Sequence, residues 1–382
     1  MRIVMDKLRR VDWTVLIILG MFMAISTLII RSAVADYPKL AGYDFRQLFY
    51  YVLGFGVLGV SSLLNYRLLI KAAPYLYGAG VLLLIAVYFF GQEINQARGW
   101  FELPGIGMSV QPAELQKLFL ILIVAYILAR RAGEPLQLIR DVFLTVAVVA
   151  VSFVLVIIQP DLGNAMIYII ILLGMLWIAN IKFLHVLAGT AVAASIIAGI
   201  LFLVTSYHDQ VEQFLEDHGS GHWMDRIDAF LTPQSADTYH LDNSLSAIAS
   251  GALFGEGYMN GDSVHNRFIP YTYSDSIFVV VGEEFGFMGS SALLLLYFLL
   301  IYRLILISIQ TPDKSGSYII IGIVSMFVFQ IFQNIGMFLE LLPLTGITLP
   351  FVSYGGSSLL INMLSIGLAI SIRIHGEEPL EE

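Results

Sequence analysis

The chain has no cysteine, which excludes disulfides, thiolate nucleophiles and Cys-ligated zinc together. Charge is scarce as well, with Asp, Glu, Lys and Arg making up 13% of the 382 residues. The formal net charge of −9 is concentrated in one long connection and in the "EEPLEE" tail, and no basic surface is left to bind nucleic acid. Hydrocarbon fills the chain instead: 58% of residues are hydrophobic and the mean hydropathy is +0.81. A soluble domain of that composition would expose large apolar patches, so the chain reads as a polytopic membrane protein. Its many Phe and Tyr residues suit interfacial belts. The first apolar run, 13–30, is longer than a signal-peptide core and lacks a small-residue cleavage site, so it reads as a retained first span.

At about 20 apolar residues per span, the hydropathy predicts an all-α fold of about ten transmembrane helices, over 13–34, 47–64, 73–90, 113–129, 141–158, 164–180, 183–206, 276–309, 317–342 and 352–372. The connections test that assignment, because short cytoplasmic loops concentrate Lys and Arg. With the N-terminus inside, that side collects Arg2, Lys7, Arg9, Arg10, Arg67, Lys71, Arg130, Arg131, Arg140, Lys182, Arg303, Lys314 and Arg373. The other side holds Arg31, Lys39, Arg46, Arg98, Arg226 and Arg267. Both termini are therefore expected in the cytoplasm of a single membrane domain, 1–382. Between helices 7 and 8 runs a large extracellular loop, 207–274, whose length and amphipathic pieces such as "NSLSAIASGALFG" predict a folded lid or site-forming element. The same assignment puts the unusual polar segments 91–111, 159–163 and 340–356 on the outer face, where function is expected.

Two outer helix starts share a design, "VQPAELQK" and "IQPDLGN". Pro112 and Pro160 suit a first helical position, and Glu114 and Asp161 suit the positive end of a helix dipole. Asp161 is accounted for by capping. Glu114 has Lys117 three residues on, on the same face of an apolar helix; such a pair locks helices together or lines a wet cavity. "LPFVSYGGSS" opens the last span with glycines and hydroxyls that can present amide hydrogens to a phosphate, or equally allow tight helix packing. "ARGWFELPGIG" supplies Arg98, suited to phosphate or carboxylate, and Trp100, suited to the interface or to stacking on a sugar. "HGSGH" has metal-like spacing but no third ligand nearby, and is rejected as a zinc site.

The segment "FIPYTYSDSIFVVVGEEFGF", 268–287, sets Asp275, Glu283 and Glu284 beside or within an apolar run, where a carboxylate needs solvation, a partner or a use. A straight helix from 276 to 310 would be about 50 Å long, beyond a core of about 30 Å. Its first turns are expected in a cavity or at the interface, with a bend at Gly286. By helical phase Glu284 points away from Asp275, so the three acids do not form one cluster. Asp275 reads as a helix cap or a rim carboxylate, with Ser274 as the alternative cap; Glu283 and Glu284 read as partners of neighbouring helices.

Together, "RGWF", "QPAELQK", "QPDLG", "AIASGALFGEGY", "FIPYTYSDSIFVVVGEEFG" and "NIGMFLELLPLTGITLPFVSYGGSS" resemble, in the same order and over nearly the whole chain, the SEDS family (shape, elongation, division and sporulation) of bacteria, which includes RodA, FtsW and SpoVE. The likeness is greatest to RodA. It implies a peptidoglycan glycosyltransferase that polymerises lipid II at the outer face of the cytoplasmic membrane, working with a class B penicillin-binding protein. Asp275 matches the family's essential outer-loop aspartate, and Glu114 and Lys117 match the acid and lysine of its central cavity. Arg98, Trp100, Asp161, Glu284 and the 350–358 segment with Ser353, Gly355, Gly356 and Ser357 also match. The chain departs at Tyr273, Ser274 and Ser276, where the family commonly has a Thr-Asp-Phe triplet often preceded by His or Gln. It departs again at Asn243, where Gln is frequent, and at Ala252, which replaces a glycine.

What the resemblance implies gives the acids a use. A sugar hydroxyl attacks an anomeric carbon bearing a diphosphate; Asp275 takes the proton as general base. Arg98, Lys117, Arg226 or the amides of Gly355, Gly356 and Ser357 steady the leaving undecaprenyl diphosphate, and one displacement predicts inversion. A divalent cation, Mg or Mn, between Asp275 and the diphosphate is compatible with the scheme. A lipid II flippase or other transporter is the rival reading, from Glu114 and Lys117 within the membrane, and a scaffold for a synthase is a third.

Overall fold

The computed structural model describes residues 10–94, 97–103, 108–131, 133–217, 221, 224 and 239–376. Its frame is a set of long helices that run back and forth between two ends. Helices α1 (Trp13–Ala33), α2 (Tyr43–Leu63) and α3 (Tyr66–Phe90) come first. Then follow α4 (Pro112–Ala129), α5 (Phe143–Ile157), α6 (Leu162–Ile178) and α7 (Phe183–Ser206). Three shorter helices, α8 (His208–Asp217), α9 (Tyr239–Ser250) and α10 (Asp262–His265), occupy the long connection, before α11 (Ile277–Gln310), α12 (Lys314–Phe338) and α13 (Gly356–His375) complete the bundle.

Among the described residues, 7 helices are long and apolar enough to cross a membrane: α1, α3, α4, α11, α12, α13, and α5 extended by a π turn from Leu138. Two of the other long helices fall short for visible reasons: α2 opens on Asp44, Arg46 and Gln47, and α6 has 17 residues. The helices are where the hydropathy puts them, with shifts at their ends. α3 begins at Tyr66 instead of 73, because Asn65 caps it by accepting from the Arg67 amide at 3.0 Å and Pro74 is accommodated inside the helix. The last helix begins at Gly356 instead of 352, after a non-helical turn.

A small antiparallel sheet was not foreseen within 91–111. β1 (Gln92–Ile94), β2 (Ala97–Leu103) and β3 (Met108–Val110) pair in the order β1-β2-β3, with Trp100 opposite Gln92 and Phe101 opposite Val110. The segment is too short and polar to register as alternating strands, yet pairing satisfies its backbone groups and delivers the chain to Gln111 and the start of α4.

α4 is the central helix, buried over nearly all its length. α13 lies along α2 from end to end, held by Gln47 Nε2 donating to the Ser353 carbonyl at 3.2 Å and by the Tyr51 hydroxyl on the Phe351 carbonyl. At the far end Asp12 caps α1 and meets both Arg303, at 2.6 Å, and Arg373, tying the first, eleventh and last helices together. α11 breaks at Gly286, whose φ of 62° and ψ of −157° lie outside helical space. The broken bonds are not lost: Phe287 and Met288 amides donate to Ala252 and Leu253 carbonyls at 2.9 and 3.1 Å. Glu283 and Glu284 carbonyls accept from Glu256 and Gly257 at 2.9 and 3.0 Å. The kink thereby docks the long connection onto the bundle, as the expected bend at Gly286 and the site-forming connection require.

Candidate active site

The loops of one end converge on a cavity of about 490 Å³. Its wall takes Tyr43, Arg46 and Tyr50 from α2, Trp100 and Ser109 from the sheet, and Gln111 and Glu114 from the head of α4. Pro160, Asp161 and Asn164 come from the start of α6, His240 from α9, and the rest from 271–275, 344–348 and 354–358.

Asp275 is half-buried and lines this cavity. Neither it nor Ser274 caps α11: the cap position is Ser276, whose hydroxyl donates to the Pro270 carbonyl at 2.9 Å instead. The backbone around the acid is fixed from two sides. Asn334 Nδ2, from α12, donates to the Asp275 carbonyl at 2.8 Å and to the Ile347 carbonyl at 2.7 Å. Ser353 Oγ donates to the Ser274 carbonyl at 2.5 Å, and the Tyr354 amide to the Tyr273 carbonyl at 2.9 Å. Ser274 Oγ donates to Asp275 Oδ1 at 2.9 Å. Gly346, at φ 70°, passes so close that a Cβ there would sit 3.8 Å from Asp275 Oδ2.

Glu114 and Lys117 pair at 2.7 Å, as their spacing predicts, but they divide the work: Glu114 lines the cavity and Lys117, 0% exposed, is sealed behind it. Asp161 is the cap of α6 itself, so the helix starts two residues later than a first-position Pro160 requires, and Pro160 precedes it at φ 28°. The Asp161 carboxylate accepts from the Asn164 amide at 3.0 Å, Asn164 Nδ2 at 2.8 Å and Gln111 Nε2 at 2.7 Å. Burial raises its pKa, and the Asn164 bonds oppose the rise. Gly355 leads into α13 without a side-chain cap, so the first amides of that helix are presented to the cavity; Ser357 Oγ accepts from the Gln111 amide at 3.3 Å.

One wall is aromatic. Tyr43 stacks on Tyr354 with centroids 4.4 Å apart, and Tyr273 meets both edge-on at 5.7 and 6.0 Å. The Arg46 guanidinium stands 5.5 Å from the Tyr43 ring centre. Burial pushes Tyr273 up to about 12 and raises Tyr354 as well, so both phenols remain neutral donors at neutral pH.

Among the expected site residues, Asp275, Trp100, Glu114, Asp161, Gly355, Gly356 and Ser357 come together here. Lys117, Ser353 and Glu284 do not line the cavity. Ser353 is spent on backbone bonds. Glu284 accepts from Ser32 Oγ of α1 and faces His265, while Glu283 accepts the Ser263 and Val264 amides at 2.7 and 3.1 Å and so caps α10. Both glutamates therefore fasten the long connection, as partners of neighbouring elements. The backbone of Arg98 lies in β2 opposite Glu93. The Arg98 side chain, Arg226 and the histidines of "HGSGH" lie outside the described residues. Arg46 was missed as a site residue because the hydropathy starts its helix at 47; a cation at the head of an apolar run was the available signal. His240 and the tyrosine wall carried no sequence signal of their own.

Comparison with known proteins covers nearly the whole chain. The family model for the cell cycle proteins FtsW, RodA and SpoVE matches residues 7–378. The chain is 33% identical to the probable peptidoglycan glycosyltransferase FtsW of Enterococcus hirae, over 96% of this chain and 93% of that protein. It is 31% identical to the peptidoglycan glycosyltransferase MrdB of Escherichia coli K12, over 97% and 95%. Among solved structures, a chain of a peptidoglycan synthase complex that coordinates polymerization and crosslinking superposes with a TM-score of 0.79 at 28% identity, covering 97% of this chain and 99% of that one. Thermus thermophilus RodA superposes at 0.69, also at 28% identity, over 97% and 98%.

Proposed function

The chain belongs to the FtsW, RodA and SpoVE family of cell cycle proteins, and from that membership we infer that it is a membrane-embedded peptidoglycan glycosyltransferase. The observation that carries the mechanism is one cavity wall that holds a carboxylate, Asp275, together with a cation, Arg46, and the open amides of α13. The substrate we assign is lipid II. The acceptor hydroxyl forms the new C–O bond at the anomeric carbon of the donor as its proton passes to Asp275. The bond to the diphosphate breaks with its electron pair on the leaving oxygen. Displacement from the far face inverts the anomeric centre.

For the leaving undecaprenyl diphosphate, Arg46 and the amides from Gly356 onward replace Lys117, which is committed to Glu114 and sealed from the cavity. Trp100 and the tyrosine wall offer faces for sugar rings. Carboxylate oxygen is the right donor for a hard divalent ion, and Asp275 is the residue that would hold Mg or Mn against diphosphate oxygens, where such an ion would supply charge neutralisation. Among the described residues the one compact group of three ligating side chains, His208, Asp209 and Glu212, is on α8 and away from this cavity.

We place the cavity end outside the cytoplasmic membrane of a bacterium, with both termini inside, because the opposite end gathers Arg67, Arg131, Lys182, Arg303, Lys314 and Arg373. The similar chain in a synthase complex supports a class B penicillin-binding protein, a transpeptidase, as partner. The transporter reading is not favoured: relatives are named glycosyltransferases, and the ionisable cavity residues gather at one end. The test is polymerisation of fluorescent lipid II by purified protein. Asp275→Asn, folded and inserted, is expected to lose at least about a hundredfold in rate; parental activity in that variant would refute the role of Asp275.

A further inference from the structure

Ten residues before Asp275, the connection that leads to it carries an imidazole held from two sides. His265, in α10, meets Asp36 of the α1–α2 connection through Nδ1, and its Nε2 lies 3.5 Å from Oε1 of Glu284 in α11. Glu284 is sealed from solvent and Asp36 is exposed. The Nδ1 side makes the hydrogen bond, while Nε2 faces Glu284 within ion-pair reach and without a hydrogen bond.

The charged neighbours agree with a built clasp. Arg267 donates to the Asp36 carbonyl oxygen and stands 4.8 Å from the Tyr37 ring centre. On the α11 side Glu283 is occupied by the Ser263 and Val264 amides, and within the connection Glu256 accepts from the Asp262 amide at 3.0 Å. From α1, Arg31 acts on Tyr258, whose hydroxyl donates to the Leu28 carbonyl at 3.1 Å. Past His265, Thr272 Oγ1 donates to the Ala33 carbonyl at 3.3 Å, and three residues later the chain reaches Asp275. Asp275 is thus steadied on the cavity side by Asn334, Ser353 and Tyr354, and on the α1 side by the run from His265 to Thr272.

We propose that His265, set between Asp36 and Glu284, is a positioning residue for glycan polymerisation, holding the connection so that Asp275 stays on the cavity wall. This deepens the glycosyltransferase reading and rests on it.

The test reads the kinetics of lipid II polymerisation by the purified full chain. His265→Ala is expected to lose roughly ten- to a hundredfold in kcat, as a displaced catalytic group does, with KM little changed. His265→Arg, which keeps N–H donors for the two carboxylates, is expected to retain the rate. Because the chain has no cysteine, the pair Asp36→Cys and His265→Cys can be bridged with a short thiol crosslinker, which is expected to restore the rate lost in the reduced pair. Two results would overturn the proposal: His265→Ala with parental kcat, or a bridged pair as slow as the reduced one. A parental protein that makes no polymer refutes the glycosyltransferase reading instead, and is told apart from these by that fact.

Discussion

Lys117 is enclosed in the second turn of α4, with Glu114 at 2.7 Å as its ionic partner. Taking one charge of such a pair away strands the other, which costs about 3–5 kcal/mol, whereas removing both at once is far milder. Lys117→Met should therefore lower the thermal unfolding midpoint in detergent sharply. The double change Glu114→Gln with Lys117→Met should recover most of that loss, and its failure to do so would mean that the pair stabilises the fold by more than mutual neutralisation. His240 makes a second prediction at this scale. Burial against Phe338 depresses its pKa, so the unfolded chain takes up the proton first. With the folded pKa below the unfolded value of about 6.5, the stabilisation from a neutral His240 is complete above that value and is lost as pH falls toward the folded pKa. The midpoint of the parental protein should drop over that acid window, and His240→Gln should flatten the drop; an unchanged pH slope in the variant would contradict it.

α11 shows at the scale of an element why a kink can be a docking device. The φ/ψ pair at Gly286 is in a region open essentially to glycine alone, worth about 1–3 kcal/mol of strain in other residues. A Cβ there would also lie 2.5 Å from the Gly255 nitrogen and 2.6 Å from the Gly251 carbonyl oxygen. Gly286→Ala should consequently detach the 251–257 turn, reducing both the yield of folded protein and its polymerisation rate. Gly20→Ala in α1, where nothing lies within 4 Å of the added methyl, is the matched control and should leave yield and rate unchanged.

For the molecule as a whole, the charge asymmetry between its ends predicts an orientation that labelling can check. In a chain with no native cysteine, Asp209→Cys on exposed α8 should react with an impermeant maleimide added outside intact cells. Lys314→Cys, at the head of α12, should react only after permeabilisation. The reverse pattern would turn the protein over and put Asp275 on the wrong side for its substrate. An all-helical membrane bundle, its helix positions, the bend at Gly286, the Glu114–Lys117 pair and the separation of Asp275 from Glu284 were all legible in the sequence. Each depends on hydropathy or on helical phase over a few residues, which one dimension carries.

Membership of the cavity was decided elsewhere. Arg46 and Tyr43 reach the site because α2 packs along α13, through Gln47 on Ser353 and Tyr51 on Phe351, partners some 300 residues apart. Glu284 and Lys117 have the chemistry of site residues, yet packing turns the first toward Ser32 and His265 and closes the second behind Glu114. Which way a side chain faces once distant helices pack is a property of their contact surfaces, and no local pattern encodes it. The sequence by itself determined what is buried in the membrane and which acids need a reason; the tertiary structure decided which of those acids face the cavity.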